Sequence, residues 1–219
     1  KKMFKDKKNI FLVVLAVIIL VGIIMFCIKG LNYNLFYGKN TTISITTEQA
    51  IDKSELQQIV EETIGGKVSV RNLNDLSNSL LITIKGISDE QKTNLLTKVN
   101  EKYSLELKEE DLEITNNASI KLIDIIKPYI TPSVISIVLI LAYFIIRYRK
   151  YGIGKIILET LGSILISELS LFSIYAIVRI PVNSITMPIS VILFVIVIIA
   201  LMEKYRKEEL KRKQSQKKK

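Results

Sequence analysis

Apolar residues in this chain fall in long uninterrupted blocks, separated by segments with a different rhythm. Ile10–Ile28 and Pro128–Ile146 carry no charge, Ile156–Val178 carries only Glu159 and Glu168, and Ile180–Met202 carries none. A bilayer-crossing helix needs about 20 mostly apolar residues. The pattern therefore predicts four transmembrane helices, at 10–29, 129–147, 156–178 and 185–202. A basic start ahead of an apolar run would suit a signal peptide, but this run exceeds the usual h-region and no A-x-A site follows it. The first block reads as an uncleaved anchor. The sequence does not open on Met, so the expectation is that numbering starts inside the gene product or that Met3 is the true start.

Between the first two blocks the pattern changes to that of a small α+β domain. Thr41–Thr47 alternates, with Ile43 and Ile45 on one face. Asp52-Lys-Ser-Glu55 has capping-box spacing and precedes Leu56, Ile59, Val60 and Ile64 at helical intervals. Gly65-Gly66 ends that helix, because glycine enters the left-handed cap without strain. Val68 and Val70 mark a second strand, Asn72–Asn78 a polar turn, and Leu80, Ile82 and Ile84 a third strand. Ser88-Asp-Glu-Gln91 opens a second helix with Leu95, Leu96 and Val99 inward. Leu105 and Leu107 begin a fourth strand, continued by Leu112 and Ile114 after an acidic break. The predicted order is β-α-β-β-α-β, the ferredoxin-like arrangement, so the expected fold is membrane α-helical with this domain between helices one and two.

Charge orients these elements. Residues 1–9 hold five Lys and one Asp, Arg147–Lys155 holds four basic residues and no acid, and the tail from Glu203 holds nine basic residues against three acids. Residues 30–128 hold 11 basic and 15 acidic residues. By the positive-inside rule the basic N-terminus (1–9), the 148–155 loop and the 203–219 tail are cytoplasmic. The 30–128 domain and the 179–184 loop are extracytoplasmic. Both termini are therefore expected on the cytoplasmic side of the membrane. The formal charge of +10 invites a nucleic-acid reading, but the basic residues sit at the membrane-flanking loops, so no nucleic-acid partner is expected. The tail reads as an orientation signal with a disordered end.

There is no His and a single Cys, Cys27. That removes His-based acid–base catalysis, most metal sites and any intramolecular disulfide. No enzyme, metal or cofactor is expected. Glu168 lies mid-run in the third helix, where a carboxylate costs a few kcal/mol unless paired or protonated, so it is a candidate proton-binding or helix-pairing residue. Glu159 is placed to pair with Lys155 on the same helix. Gly162, Ser163, Ser167 and Ser170, continued by Ser173, form a stripe of small residues and a candidate helix-packing face. Tyr33, Phe36 and Tyr37 read as interfacial aromatics.

The segment Gly30-Leu-Asn-Tyr-Asn-Leu-Phe-Tyr-Gly-Lys-Asn-Thr41 resembles G-L-N-Y-G-I-D-F-T-G-G-T of the SecF subunit of the bacterial SecD/SecF export complex. Phe36 stands where that family has Asp, and Lys39-Asn40 replaces its Gly pair. Asn117–Pro128 is similar to the amphipathic approach to the family's second helix, Pro181-Val-Asn-Ser-Ile-Thr to its E-F-N-L-T-T, and Met202-Glu-Lys-Tyr-Arg-Lys to its F-D-R-I-R-E. The resemblance implies a βαββαβ outer domain and a hinge at Gly30, Asn32 and Tyr33. It also implies a SecD-like partner, the SecYEG channel and translocating unfolded polypeptide, with the lipid bilayer as surroundings. The family has six helices where four are present here. The acidic G-Y-S-x-N-D-[ST] patch of its fourth helix has no counterpart in Ser190–Met202. The implied role is a shortened SecF-like accessory subunit without a complete ion pathway. Two other classes stay open: an FtsX-like ABC-transporter permease, which has the same helix order but needs a longer inner coupling segment, and a non-transporting membrane scaffold.

Overall fold

The structure is a computed structural model that describes residues 2–47, 49–73 and 76–217. In chain order the elements are α1 (Lys2–Lys29), β1 (Asn40–Thr46), α2 (Lys53–Ile64), β2 (Ser69–Leu73), β3 (Leu76–Ile84), α3 (Asp89–Tyr103), β4 (Leu112–Asn117), α4 (Leu122–Tyr148), α5 (Ile153–Val178) and α6 (Thr186–Lys217). Among the described residues, four stretches are long and apolar enough to cross a membrane: Ile10–Lys29, Leu122–Tyr151, Ile153–Val178 and Thr186–Gln216. The chain is a multi-pass membrane protein. It divides into two compact units, Lys1–Asn32 with Leu122–Lys219, and Tyr33–Lys121.

The Tyr33–Lys121 unit is one four-stranded antiparallel sheet with two helices on one face. The strand order is β2-β3-β1-β4. Alternation sets the register: Ile43 stands opposite Ile82 on one side and Ile114 on the other, and Ile45 opposite Leu80 and Leu112. These side chains, with Val70, meet Leu56 and Val60 of α2 and Leu95, Leu96 and Val99 of α3 in a closed apolar core. Local signals place the helices. The Asp52 carboxylate accepts from Ser54 N and Glu55 N, while Glu55 itself turns to Tyr103 and Lys102. Ser88 and Gln91 complete a reciprocal capping box. Gly65 ends α2 at φ 71°, its N–H donating to Glu61 O.

Two local expectations change. The polar turn expected over Asn72–Asn78 is shorter, because β2 runs to Leu73 and β3 starts at Leu76 with those two residues paired; Asn74 and Asp75 lie outside the described residues. The fourth strand does not begin at Leu105. The Asn100 side chain brackets Leu107, accepting from its N–H at 2.9 Å and donating to its carbonyl at 2.8 Å. That backbone is satisfied locally and has no need of a sheet partner. Glu109–Asp111 then forms a 3-10 turn before β4.

In the other unit the helices overrun their expected bounds. α4 starts at Leu122 and carries Pro128 and Pro132 within it, whereas the apolar pattern predicts a span only from 129. α6 continues through Lys217, so the tail up to that residue is ordered helix rather than a disordered end. Same-helix ion pairs Lys207–Glu203 and Lys213–Glu209 support it, and Arg147 reaches Glu209 at 3.1 Å. Near this end α4 and α6 are bound by a cluster of aromatic rings. Phe144 lies edge-on to Tyr205 at 5.6 Å, and Tyr148 packs on Tyr205 at 5.2 Å.

Two consequences are measurable. Ile82 is 0% exposed between Ile43 and Val70, so Ile82→Ala is expected to destabilise the sheet by about 2–5 kcal/mol, read as faster amide exchange across β1 and β3 with the membrane helices unchanged. The Tyr103 phenol is pushed up from 10.0 to about 12, by burial first and then by the neighbouring Glu55 carboxylate. The folded state therefore holds this proton longer than the unfolded chain does. Its stabilisation is complete below pH 10 and is lost as pH rises towards 12. Ultraviolet difference titration of the native chain against Tyr103→Phe should show one phenol titrating late.

Candidate functional site

The chain leaves α1 through a hydrogen-bonded knot. Gly30 adopts φ 60° and donates its N–H to Phe26 O at 2.8 Å, closing the helix. α5 ends the same way without a glycine: Arg179 has φ 61°, a left-handed conformation that non-glycine residues rarely adopt. Its guanidinium donates to Lys29 O and Gly30 O. A cation thus meets the last carbonyls of α1, where the helix dipole favours it. Asn32 locks the pair from the other side, donating to Arg179 O at 2.8 Å and accepting from Val182 N at 2.8 Å. Of the candidate hinge residues, Gly30 and Asn32 belong to this knot, whereas Tyr33 opens the second unit. Within that unit Phe36 lies under the Arg71 guanidinium at 4.2 Å. Arg179, the one charge in its loop, was the available signal for this knot.

α1 and α5 approach each other at backbone distance. A Cβ added at Gly22 would lie 2.2 Å from Ser173 Cβ and 2.5 Å from Ser173 Cα. Ser173 is fully buried, and its hydroxyl donates to Leu169 O at 2.7 Å. Phe26 and Phe172 meet edge to face beside it at 5.0 Å. The rest of the expected small-residue stripe is arranged differently. Ser167 and Ser170 donate to carbonyls of their own helix, Ile164 O and Ile166 O. Ser163 is half-buried, and a Cβ at Gly162 would meet nothing within 4 Å. Gly22, a single glycine inside an otherwise bulky apolar run, is the partner that sequence reasoning passed over.

The two carboxylates of α5 have different surroundings. Glu159 has a cation on both sides: Lys155 Nζ at 3.8 Å on its own helix and Lys204 Nζ at 2.8 Å from α6, with the Tyr205 hydroxyl donating at 3.1 Å. The pairing expected with Lys155 is present, and the shorter contact is to α6. Glu168 is half-buried and accepts one hydrogen bond, from Ser190 Oγ of α6 at 2.6 Å. Among the described residues no Lys or Arg lies within 4.0 Å of it. It lines a cavity of about 670 Å³ formed by α4, α5 and α6, with Tyr129, Pro132, Phe172, Tyr175, Phe194 and other apolar side chains. No three carboxylate or thiol groups converge as a metal ion would need, among the described residues.

No family model matches this sequence, and no curated protein does. Among solved structures, a chain described as a crystal structure of SecDF in super-membrane-facing form is similar at 14% identity and a TM-score of 0.46, over 82% of this chain. This chain spans 25% of the length of that one.

The α1–α5 contact separates two glycine substitutions. Gly22→Ala forces Ser173 or its backbone to move, and a loss of about 1–3 kcal/mol is expected, as for overpacking. Gly162→Ala meets open space and gains helix propensity, up to about 1 kcal/mol. Thermal midpoints in detergent should therefore move in opposite directions.

Proposed function

We propose that this chain is a SecF-like accessory subunit of a protein-export translocase in a bacterial cytoplasmic membrane. What carries the reading is order: one span, a six-element outer domain, then three spans. The Gly-Leu-Asn-Tyr segment stands where the resemblance requires it, at the exit of the first span. In this reading the basic segments are cytoplasmic, both termini included, and Tyr33–Lys121 is extracytoplasmic. The sheet order β2-β3-β1-β4 with all-antiparallel pairing supports a ferredoxin-like arrangement for that unit. The partners are a SecD-like subunit, the SecYEG channel and unfolded polypeptide in transit. The subunit carries out no catalysis and has no complete ion pathway of its own. Glu168 is the candidate proton-binding or helix-pairing residue.

The connection between the second and third spans favours this over an ATP-driven permease. A single 3-10 turn, Arg149–Tyr151, and Gly152 separate α4 from α5. A segment that short gives an ATPase little to grip. A tagged copy extracted from native membranes in mild detergent should bring down a SecD-like protein or channel components, identified by mass spectrometry. Recovery of an ATPase in their place would reject the export role.

A further inference from the structure

We propose that the groove between α4, α5 and α6 binds a lipophilic cation, its charge beside the Glu168 carboxylate and its apolar body along the groove walls. The volume of about 670 Å³ is that of a small-molecule site, which runs roughly 300–1,000 Å³. The lining is mainly apolar and aromatic, with Tyr129, Phe172, Tyr175 and Phe194 among its side chains, and Ser133, Ser136, Thr186 and Ser190 add hydroxyls. Such rings suit a cation that carries its own apolar shell.

Among the described residues, Glu168 is the only charged side chain lining this space. Among the described residues Ser190 supplies its one hydrogen bond and no cation of the chain reaches it. Charge complementarity therefore selects the ligand. A neutral acyl chain would leave the carboxylate unpaired in an apolar site, which is costly. A bare metal ion needs several oxygen ligands, and carboxylate–hydroxyl geometry at Glu168 and Ser190 offers too few. An amine or phosphonium within an apolar body meets both demands.

Where Glu168 is protonated, binding is an exchange. The carboxyl O–H breaks, its proton passes to water, and the bound cation takes over the charge, one for one. Tyr129 and Tyr175 are the other titratable side chains lining the groove. Affinity should therefore rise with pH as Glu168 loses its proton.

The test uses the full chain in nanodiscs of zwitterionic lipid with tetraphenylphosphonium as the probe, and it needs no partner subunit. Saturable one-to-one binding is expected, with proton release on addition to weakly buffered solution. Glu168→Gln should weaken binding at least tenfold and abolish the proton release, while Glu168→Asp retains both. Ser133→Trp, which keeps the carboxylate and fills the groove from α4, should also lose binding. Thermal midpoints of all variants are compared with the native chain to confirm folding. Absence of saturable binding to the native chain would overturn the proposal. So would equal affinity for folded Glu168→Gln, or indifference to Ser133→Trp.

Discussion

Inside a bilayer no water is at hand for a polar group, so every hydroxyl, carboxylate and helix-end carbonyl within the spans needs a partner from the protein. Much of the geometry of the membrane unit follows from that constraint. Ser167, Ser170 and Ser173 return their hydroxyls to carbonyls of their own helix, and the Ser173 hydroxyl also lies 3.4 Å from Ile19 O of α1. Each then presents a small, satisfied surface, and this lets Gly22 of α1 lie against Ser173 at backbone distance. The carbonyls that α1 leaves open at Lys29 and Gly30 are met by Arg179. The left-handed turn of Arg179 is the strain accepted in return. Asn32 holds that turn in place, so the exit of α1 and the end of α5 form one joint.

The same constraint shapes the packing of α4. Around Tyr148 the helix is fixed by aromatic contacts with Tyr205 and by the ion pair from Arg147 to Glu209. Towards Leu122 it contributes Ile125, Tyr129, Pro132 and Ser133 to the wall of an open groove. Two prolines lie in that half. Each removes a backbone donor and so a bond that would hold the helix straight. A helix fastened at one end and weakened along the other is a reason for the space between α4 and its neighbours.

Hydrophobic rhythm made much of this fold legible. The four apolar blocks are helices, and the alternation at Ile43, Ile45, Leu80, Ile82 and Ile84 marks residues that are now buried in the sheet. Capping spacing located the start of α2 and α3. Features that depend on contacts between distant parts of the chain were hidden. Leu105 and Leu107 alternate like a strand, but Asn100 satisfies Leu107 first. The basic tail has the composition of a free end, yet Arg212 lies over the Tyr151 ring at 4.3 Å and Glu209 is held by Arg147. Of the candidate site, Glu168 stood out as an acid in an apolar run. Ser190 and Gly22 did not, because serine and glycine in a membrane helix carry no signal until the neighbouring helix is placed.

Glu159 and Glu168 lie on one helix, and their different surroundings follow from what α6 offers at each level. Near Glu159, α6 has left its apolar run, and Lys204 and Tyr205 close on the carboxylate. Near Glu168, α6 is within Ile185–Met202, which has no charged residue, and Ser190 is the polar group within reach. A hydroxyl donates one hydrogen bond and brings no charge. Glu168 is therefore neutral by carrying its own proton, or it draws its counter-charge from something that is not this chain. A cationic side chain on a helix of another protein and a lipophilic cation in the groove are two ways of supplying that charge, and both depend on α6 withholding a cation at this depth.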